Sequence, residues 1–505
     1  MTHQESVLKF VQDKGFIFGP EPEIYGGLAG FYTYGPLGKL LKNNVENTIR
    51  RVFGRHEFYE VECPTVMPRI VWEASGHLGG FTDPLVQCPK CKKEFRVDHL
   101  ITETYKDVQT AGWKKKDYEK FLSENKIPCA SCKAVLPSAI KDHTLMMRTT
   151  IGVDQEAYNR PETATTTYLP FNRYVRFFRD KLPFGVFQIG KAYRNEISPR
   201  QFVLRMREFT QAEGQLFIFE DQKKGYPHYE AVKDQILPFW SEALQKSGKQ
   251  PDLVSLSDAL KKKLVGSSAY ATILHLGYQL FLEMGIPADR MRLRQHHSDE
   301  KAFYAADAWD LEVNTPSFGW VECCGIHDRS SYDLTQHAKV SGQELQHQDP
   351  EHPKQTPHII EIAFGTDRPT FALLDIFYQS KEENTVRDLF SIPKHIAPLH
   401  VAVLPLVNKL DEKANALYRD LKPHLLVTYD RSGSVGRRYA RADEIGIPYC
   451  VTVDFETLEG KGVTIRDRDT TEQIRVPLEK LQDVLSQLLC NKLSFDKAGT
   501  KITAK

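Results

Sequence analysis

Behind Pro36 the apolar residues Leu37, Leu41, Val45, Ile49, Val52 and Phe53 recur at helical spacing, with the proline in a first turn that tolerates it. A long amphipathic helix is predicted there. Residues 56 to 64 set Phe58, Val61 and Cys63 among charges and read as a strand ended by proline, whereas residues 1 to 35 mix Gly, Pro and Tyr without period and read as an irregular, ordered loop. Tyr168, Phe171, Val175 and Phe178 predict a further helix. Between 184 and 213 two strands are joined by a polar turn at residues 196 to 201, with Ser198-Pro199 as the turn-initiating pair. Strand alternation then puts Arg194 and Glu196 on one face of the first strand, and Arg205, Arg207 and Phe209 on one face of the second. Residues 221 to 290 read as a helical, lysine-bearing insertion whose Lys261 to Lys263 run is solvated. Its apolar stretch from Tyr270 to Ile286 holds His275, Gln279 and Glu283, which suits a core helix and not a membrane span. From Ile396 onward strands and helices alternate as in a compact α/β domain: strands at 397–406, 425–430, 447–455 and 462–467, and helices at 409–421, 435–446 and 478–490. The polar, lysine-rich residues 491–505 are expected to be disordered.

A chain of 505 residues allows about three domains. With 67 basic and 66 acidic residues the net charge is +1, so no global field draws nucleic acid and such a partner must be held by local patches. One such patch is the loop from Arg431 to Arg438 with Arg441 beyond it, a basic surface for an RNA backbone. The first ten residues lack a basic start followed by an apolar core, so an intracellular, cytoplasmic protein without membrane association is expected.

Chemistry enters with the cysteines. Of nine, Cys88, Cys91, Cys129 and Cys132 form two CxxC pairs, the donor set of a tetrahedral zinc site within a module spanning 86–135, with a helix near Asp117 to Asn125. Four reduced thiols without metal are the alternative. Cys63, Cys323, Cys324, Cys450 and Cys490 lack such spacing and read as buried thiols. Glu312, Glu322 and Glu361 each interrupt an apolar strand, and carboxylates there need a cation: an ammonium, Mg²⁺ or a structural arginine. Guanidiniums beside a phenylalanine face on the 184–213 hairpin suit nucleotide phosphates and a base.

Tyr193-Arg194-Asn195-Glu196, a loop, then Arg205, Phe209 and Glu213 at four-residue spacing resembles the second signature motif of class II aminoacyl-tRNA synthetases. Gly365-Thr366-Asp367-Arg368 resembles the third, and the helix and strand from Pro36 to Pro64 the first, which forms the dimer interface. Within that class, strings around 23–38, Phe95-Arg96, Arg160-Pro161-Glu162-Thr163, 194–200, 207–213, Gly319-Trp320-Val321-Glu322 and 433–455 are similar to the dimeric glycyl-tRNA synthetases, over residues 5 to 490.

The resemblance implies an α+β fold: a catalytic domain over 1–395, with an antiparallel sheet flanked by helices and carrying the zinc-binding and helical insertions, and an anticodon-binding α/β domain over 396–490. It implies a homodimer that uses ATP, Mg²⁺ and glycine to charge tRNA(Gly). By carry-over Arg194 meets the α-phosphate, Arg205 and Arg368 the outer phosphates, Phe209 stacks on adenine, and Glu322 is the ligand for Mg²⁺ or ATP. Asn195, Glu196, Leu204, Val321 and Gly365 complete the ATP site. Glu162, Glu213 and Glu361 meet the ammonium of glycine, with Arg96, Phe209, Ala363 and Gly365 nearby. The family motif Glu-Pro-Ser is here Glu361-Ile362-Ala363, so a pocket hydroxyl is missing and a weaker hold on glycine is expected; Pro369 after Arg368 is also a departure. Rival readings are a class II enzyme for another small amino acid and a non-catalytic synthetase-like protein that binds nucleic acid.

Overall fold

The site rests on a sheet of nine strands, seen in a computed structural model that describes residues 1–502 apart from 106, 109, 111, 112, 198, 200, 201, 299, 302–304 and 385. The strands are β1 (Phe58–Glu60), β2 (Phe184–Tyr193), β3 (Glu208–Ile218), β4 (Ile236–Trp240), β5 (Asp252–Ser255), β6 (Met291–Gln295), β7 (Asp307–Thr315), β8 (Gly319–Asp328) and β9 (His358–Gly365). Their spatial order is β5-β4-β6-β7-β8-β9-β3-β2-β1, antiparallel except for the β4/β6 and β2/β1 pairs.

Two helices cover the back of this sheet. In α1 (Pro36–Arg55), led by the proline, the predicted stripe packs as expected: Leu41, Val45, Ile49, Val52 and Phe53 are fully buried, each stabilising by about 1.5–3 kcal/mol. The predicted core helix is α2 (Ser268–Glu283). It approaches the sheet closely because Gly277 carries no side chain; a Cβ there would lie 2.7 Å from Ile326. A third helix, α3 (Asp367–Phe377), follows β9 directly and takes Pro369 within its first turn, where a proline costs no hydrogen bond.

Several expectations change. The N-terminal stretch begins with a capped helix, His3–Asp13, whose Val7, Phe10 and Val11 enter the core before the irregular loop starts. The helix expected through Phe178 is split into Ala164–Tyr168 and Phe171–Phe177 around Pro170. The 221–290 insertion is not purely helical: β4 and β5 extend the sheet edge, and Pro238 is accommodated because β4 meets β6 only at Phe239 and Trp240. The module around the cysteines is larger than 86–135, since Thr82–Gln87 pairs with both Glu94–Arg96 and Lys141–Thr144. Its helix Lys115–Asn125 lies where predicted, and Val97, Ile101, Leu122 and Ile127 give it a core of its own.

The C-terminal domain has strands β10 (Val401–Pro405), β11 (Val427–Tyr429), β12 (Tyr449–Val453), β13 (Val463–Asp467), β14 (Gln473–Val476) and β15 (Thr500–Lys501), with helices α4 (Asp411–Leu421), α5 (Val435–Glu444) and α6 (Leu481–Leu489). The expected disorder of residues 491–505 does not hold through 502. Phe495 stacks on Tyr449 and β15 pairs with β14, so a few apolar side chains suffice to dock a segment whose composition is polar. Nor is Arg438 on the surface: it is buried, and its guanidinium donates to the carbonyls of Pro405 and Gly433. Arg431 and Arg441 are exposed but paired with Asp411 and Asp430, which leaves a smaller basic patch than four arginines suggest. Cys63, Cys323, Cys324 and Cys450 are buried as expected; Cys490 is exposed. Among the described residues no helix is long and apolar enough to cross a membrane.

Candidate active site

A cavity of about 290 Å³ opens on the front of the sheet, lined from β3, β8, β9, the start of α3 and the segments flanking the hairpin turn. Strand register explains what faces it. Arg294, Asp310, Gly325, Ala363, Glu213 and Gln188 are cross-strand neighbours in one row over six strands, and Ala308, His327, Glu361 and Gln215 form the next row. Polar groups along a buried face therefore converge on one floor.

At one end stand three carboxylates. Glu213 accepts from the Thr163 hydroxyl at 2.5 Å, and Glu162 accepts from Thr165 at 2.7 Å and lies 3.5 Å from His77. Glu361 accepts from Tyr168 at 3.0 Å, Gln215 at 3.1 Å, Arg329 at 3.3 Å and His327 at 3.4 Å. Burial together with the charges of Glu361 and Glu162 pushes the Glu213 carboxyl up to about 8, against the Thr163 hydrogen bond and Arg194. For Glu361 burial also acts upward, but Arg329 and His327 prevail and hold it down at about 2. Glu162 is likewise below the usual range, because His77 and Arg329 outweigh its desolvation. The three carboxyls are thus set apart in proton affinity, with Glu213 raised and Glu361 and Glu162 lowered.

This has a pH signature. The folded state holds the Glu213 proton that an unfolded chain releases near pH 4.3, so its contribution to stability is complete below that pH and is lost as pH rises toward 8. Glu361 works in the opposite sense, with stability present above about pH 4.3 and lost as pH falls toward 2. The melting temperature of Glu213→Gln should gain on the parent protein between pH 5 and pH 9; a constant gap across that range would refute the assignment.

The other end is cationic and aromatic. Arg194 donates to the Pro161 carbonyl at 3.1 Å and sits over the rings of Phe81 and Phe209 at 5.3 and 5.4 Å. Arg205 is 3.8 Å from Glu196, and Arg368 donates to the Glu322 and Leu204 carbonyls at 2.6 and 3.3 Å. Glu196 is buried, its Oε2 without a hydrogen-bond partner among the described residues, and Glu322 stands exposed at the rim. Arg194, Glu196 and Arg205 are not on strand faces as expected, because β2 ends at Tyr193 and β3 begins at Glu208. Arg194, Glu196 and Arg205 belong to the segments beyond the ladder, and Arg207 fastens those segments through the carbonyls of Ala29, Glu196 and Ile197. Ser198, Arg200 and Gln201, part of the expected turn, lie outside the described residues.

Leu204, Phe209, Ala363 and Gly365 line the cavity with the charged groups already named. Arg96, Asn195 and Val321 are not among its lining residues. Arg96 is held between Asp83 at 3.0 Å and Asp98 at 2.6 Å, and the Asn195 backbone is bound to Leu145 and His143. Glu312 is answered elsewhere: it pairs at 2.6 Å with Arg292, which is stacked between Trp240 and Trp320. Arg160 is buried and structural, donating to the carbonyls of Lys191 and Cys63 and to Gln188. His327 and Arg329 were missed, although the alternation of Cys323, Gly325, His327 and Arg329 along β8 and just past its end would have put them on the cavity side.

The chain's residues 149–377 match the tRNA synthetase class II core domain (G, H, P, S and T), and residues 400–488 match the anticodon binding domain. It is 39% identical to a glycine–tRNA ligase of Pyrococcus furiosus, over 95% of this chain and 99% of that protein. A glycine–tRNA ligase of Thermococcus sibiricus is 38% identical over 96% and 98% of the two chains. The chain belongs to the glycine–tRNA ligase family. Among solved structures, one described as the RNA binding domain of threonyl-tRNA synthetase from Cryptosporidium parvum superposes with a TM-score of 0.60 at 17% identity, covering 96% of this chain and 98% of that one, a likeness of fold. The cavity of this glycine–tRNA ligase thus has an acidic floor at one end and a cationic wall at the other.

The sulfurs of the cysteine module also converge. Cys88 and Cys132 are 3.5 Å apart, Cys91 and Cys129 3.6 Å, and all four lie within 4.8 Å of one another. Tetrahedral Zn–S bonds of about 2.3 Å put sulfurs roughly 3.8 Å apart, so the donor set fits that ion. The two knuckles are built alike, with Lys92 and Lys133 at φ 60° and 63° returning hydrogen bonds to the first cysteine of each pair.

Proposed function

We propose that this cavity activates glycine with ATP and passes the glycyl group to the 3′ end of tRNA(Gly). The observation that carries the reading is the juxtaposition of the carboxylates Glu162, Glu213 and Glu361 with the arginines Arg194, Arg205 and Arg368 in one cavity. Glycine presents only an ammonium and a carboxylate. Its ammonium belongs among Glu162, Glu213 and Glu361, where its charge repays the cost of ionising Glu213. Its carboxylate then points toward Arg194 and the α-phosphate.

In the first step a carboxylate oxygen of glycine forms a bond to the α-phosphorus as the bond to the β-phosphate breaks, giving glycyl-adenylate and pyrophosphate. Arg194 stabilises charge on the α-phosphoryl oxygens, and Arg205 and Arg368 neutralise the departing pyrophosphate. Phe209 offers its face to adenine, and Glu196 Oε2, without a partner among the described residues, is suited to accept from the adenine amine. Glu322, an exposed oxygen donor at the phosphate end, would hold Mg²⁺, which spreads the phosphate charge. In the second step a terminal ribose hydroxyl oxygen bonds to the glycyl carbonyl carbon as the bond from that carbon to the phosphate oxygen breaks, and the hydroxyl proton passes to the departing AMP. Arg96, Asn195 and Val321 act from outside this first layer.

The cysteine module is read as a structural zinc site, with all four positions filled by protein and no chemical role. The C-terminal domain presents Arg431, Arg437 and Arg441 toward the tRNA backbone. Dimerisation, in a cytoplasmic setting, is assigned to the edge strand β1, where Tyr59 and Phe177 leave apolar surface exposed. The deciding experiment is ATP–pyrophosphate exchange with each amino acid in turn: glycine alone should support it. Exchange with alanine or serine and not glycine, or with none, would overturn the reading. Ala363→Ser should lower KM for glycine.

A further inference from the structure

We propose a second metal site, for a Zn²⁺-class ion, formed by His296, Asp310 and His327 at the amino-acid end of the cavity. The three residues come from adjacent strands and lie side by side on the cavity face, His296 one residue past β6, Asp310 on β7 and His327 on β8. One ligand atom from each lies within 4.8 Å of the others. His296 Nε2 and Asp310 Oδ2 are 2.8 Å apart. Ligand separations of about 3.4 Å around a zinc ion are reached by small turns of the two imidazoles.

Two independent observations mark this as a built site. Space for an ion is kept at Gly325: a Cβ there would meet His327 Cε1 at 2.7 Å, with His327 Nε2 at 3.5 Å and Asp310 Oδ1 at 3.6 Å, so any other residue would fill the gap between the ligands. His327 is also already oriented as a metal ligand. Its Nδ1 faces Glu361 Oε1 at 3.4 Å, which leaves Nε2 with its lone pair for an ion, the carboxylate–histidine–metal arrangement that fixes tautomer and ring. Arg294 lies 3.6 Å from Asp310, and Glu300 neutralises it through two hydrogen bonds of 3.1 and 2.7 Å.

Two imidazoles and a carboxylate are the donor set of a zinc site with an open fourth position, and Gly325 lines the cavity, so that position faces it. An ion there locks His327 as donor to Glu361 and thereby positions a carboxylate of the amino-acid pocket. This role, but not the metal site, rests on the glycine reading above.

Metal content of the full-length protein, purified without chelator, tests the site directly. Two equivalents of zinc are expected, one at the cysteines, and His327→Ala and the shape-conserving Asp310→Asn should each retain one. Co²⁺ replacement should add d–d bands without thiolate charge transfer, and those bands should vanish in both variants while circular dichroism is unchanged. KM for glycine in His327→Ala should rise about tenfold. One equivalent in the parent protein with only thiolate-type Co²⁺ spectra, or two retained in both variants, overturns the site. Glycine-dependent exchange persisting in that case leaves the activation reading standing. Loss of one equivalent in both variants without any glycine-dependent exchange supports the site and sinks that reading instead.

Discussion

Arg194→Ala should lower glycine-dependent pyrophosphate exchange by about 10³-fold while leaving the fold intact. The guanidinium is fixed before substrate arrives, by the Pro161 carbonyl and by the rings of Phe81 and Phe209, so no ordering is required as phosphoryl charge develops. Desolvation lowers its proton affinity, opposed by the charges of Glu162 and Glu213, without discharging it. Arg194→Lys should recover little, because a point charge reproduces neither the planar fork nor its stacking. The check is the exchange rate at saturating ATP and glycine with the melting temperature measured alongside. A loss below tenfold would mean that Arg194 is a structural strut and that the phosphates lie elsewhere.

The second large effect is on stability. Lys42→Met should cost about 3–5 kcal/mol, because it leaves the Asp367 carboxylate buried without its cation. Lys42 and Asp367 are both nearly inaccessible, with Nζ 2.5 Å from Oδ1, and Lys42 also donates to the Thr210 hydroxyl at 2.9 Å. The other Asp367 oxygen accepts from the Thr210 backbone at 2.8 Å. One ion pair thus joins α1, β3 and the start of α3, and holds the turn that presents Arg368 to the cavity. The double replacement Lys42→Met with Asp367→Leu should restore much of the loss, since paired apolar groups of similar volume replace a buried pair at little cost. Chemical denaturation measures both; a single variant within 1 kcal/mol of the parent would refute the argument. Because Asp367 precedes Arg368, activity in Lys42→Met should fall further than stability alone requires.

The cysteine quartet and the cavity arginines were legible from short-range pattern. Two CxxC pairs define a chelating geometry through local turns, and the knuckles formed where the spacing put them. Arg194, Arg205, Phe209, Glu213, Glu361 and Arg368 all line one cavity, as the resemblance implied. Glu312 carries the same sequence signal as Glu361, a charge in an apolar strand, yet it serves the scaffold. A buried charge announces that it needs a partner, but not whether that partner is protein or ligand.

What the sequence by itself determined is whatever depends on period and spacing: the amphipathic helix behind Pro36, the core helix near 270, the alternating C-terminal domain, the cysteine knuckles and the motif set that marks the family. The tertiary structure alone decided the rest. It placed Arg438 inside, docked the polar tail through Phe495, turned 236–255 into sheet edge, and brought His327 and Arg329 beside Glu361. Those outcomes depend on which strands become neighbours and in what register. Register is set by contacts between residues far apart in the chain, and a shift of one residue would have turned His327 or Glu361 to the opposite face of the sheet.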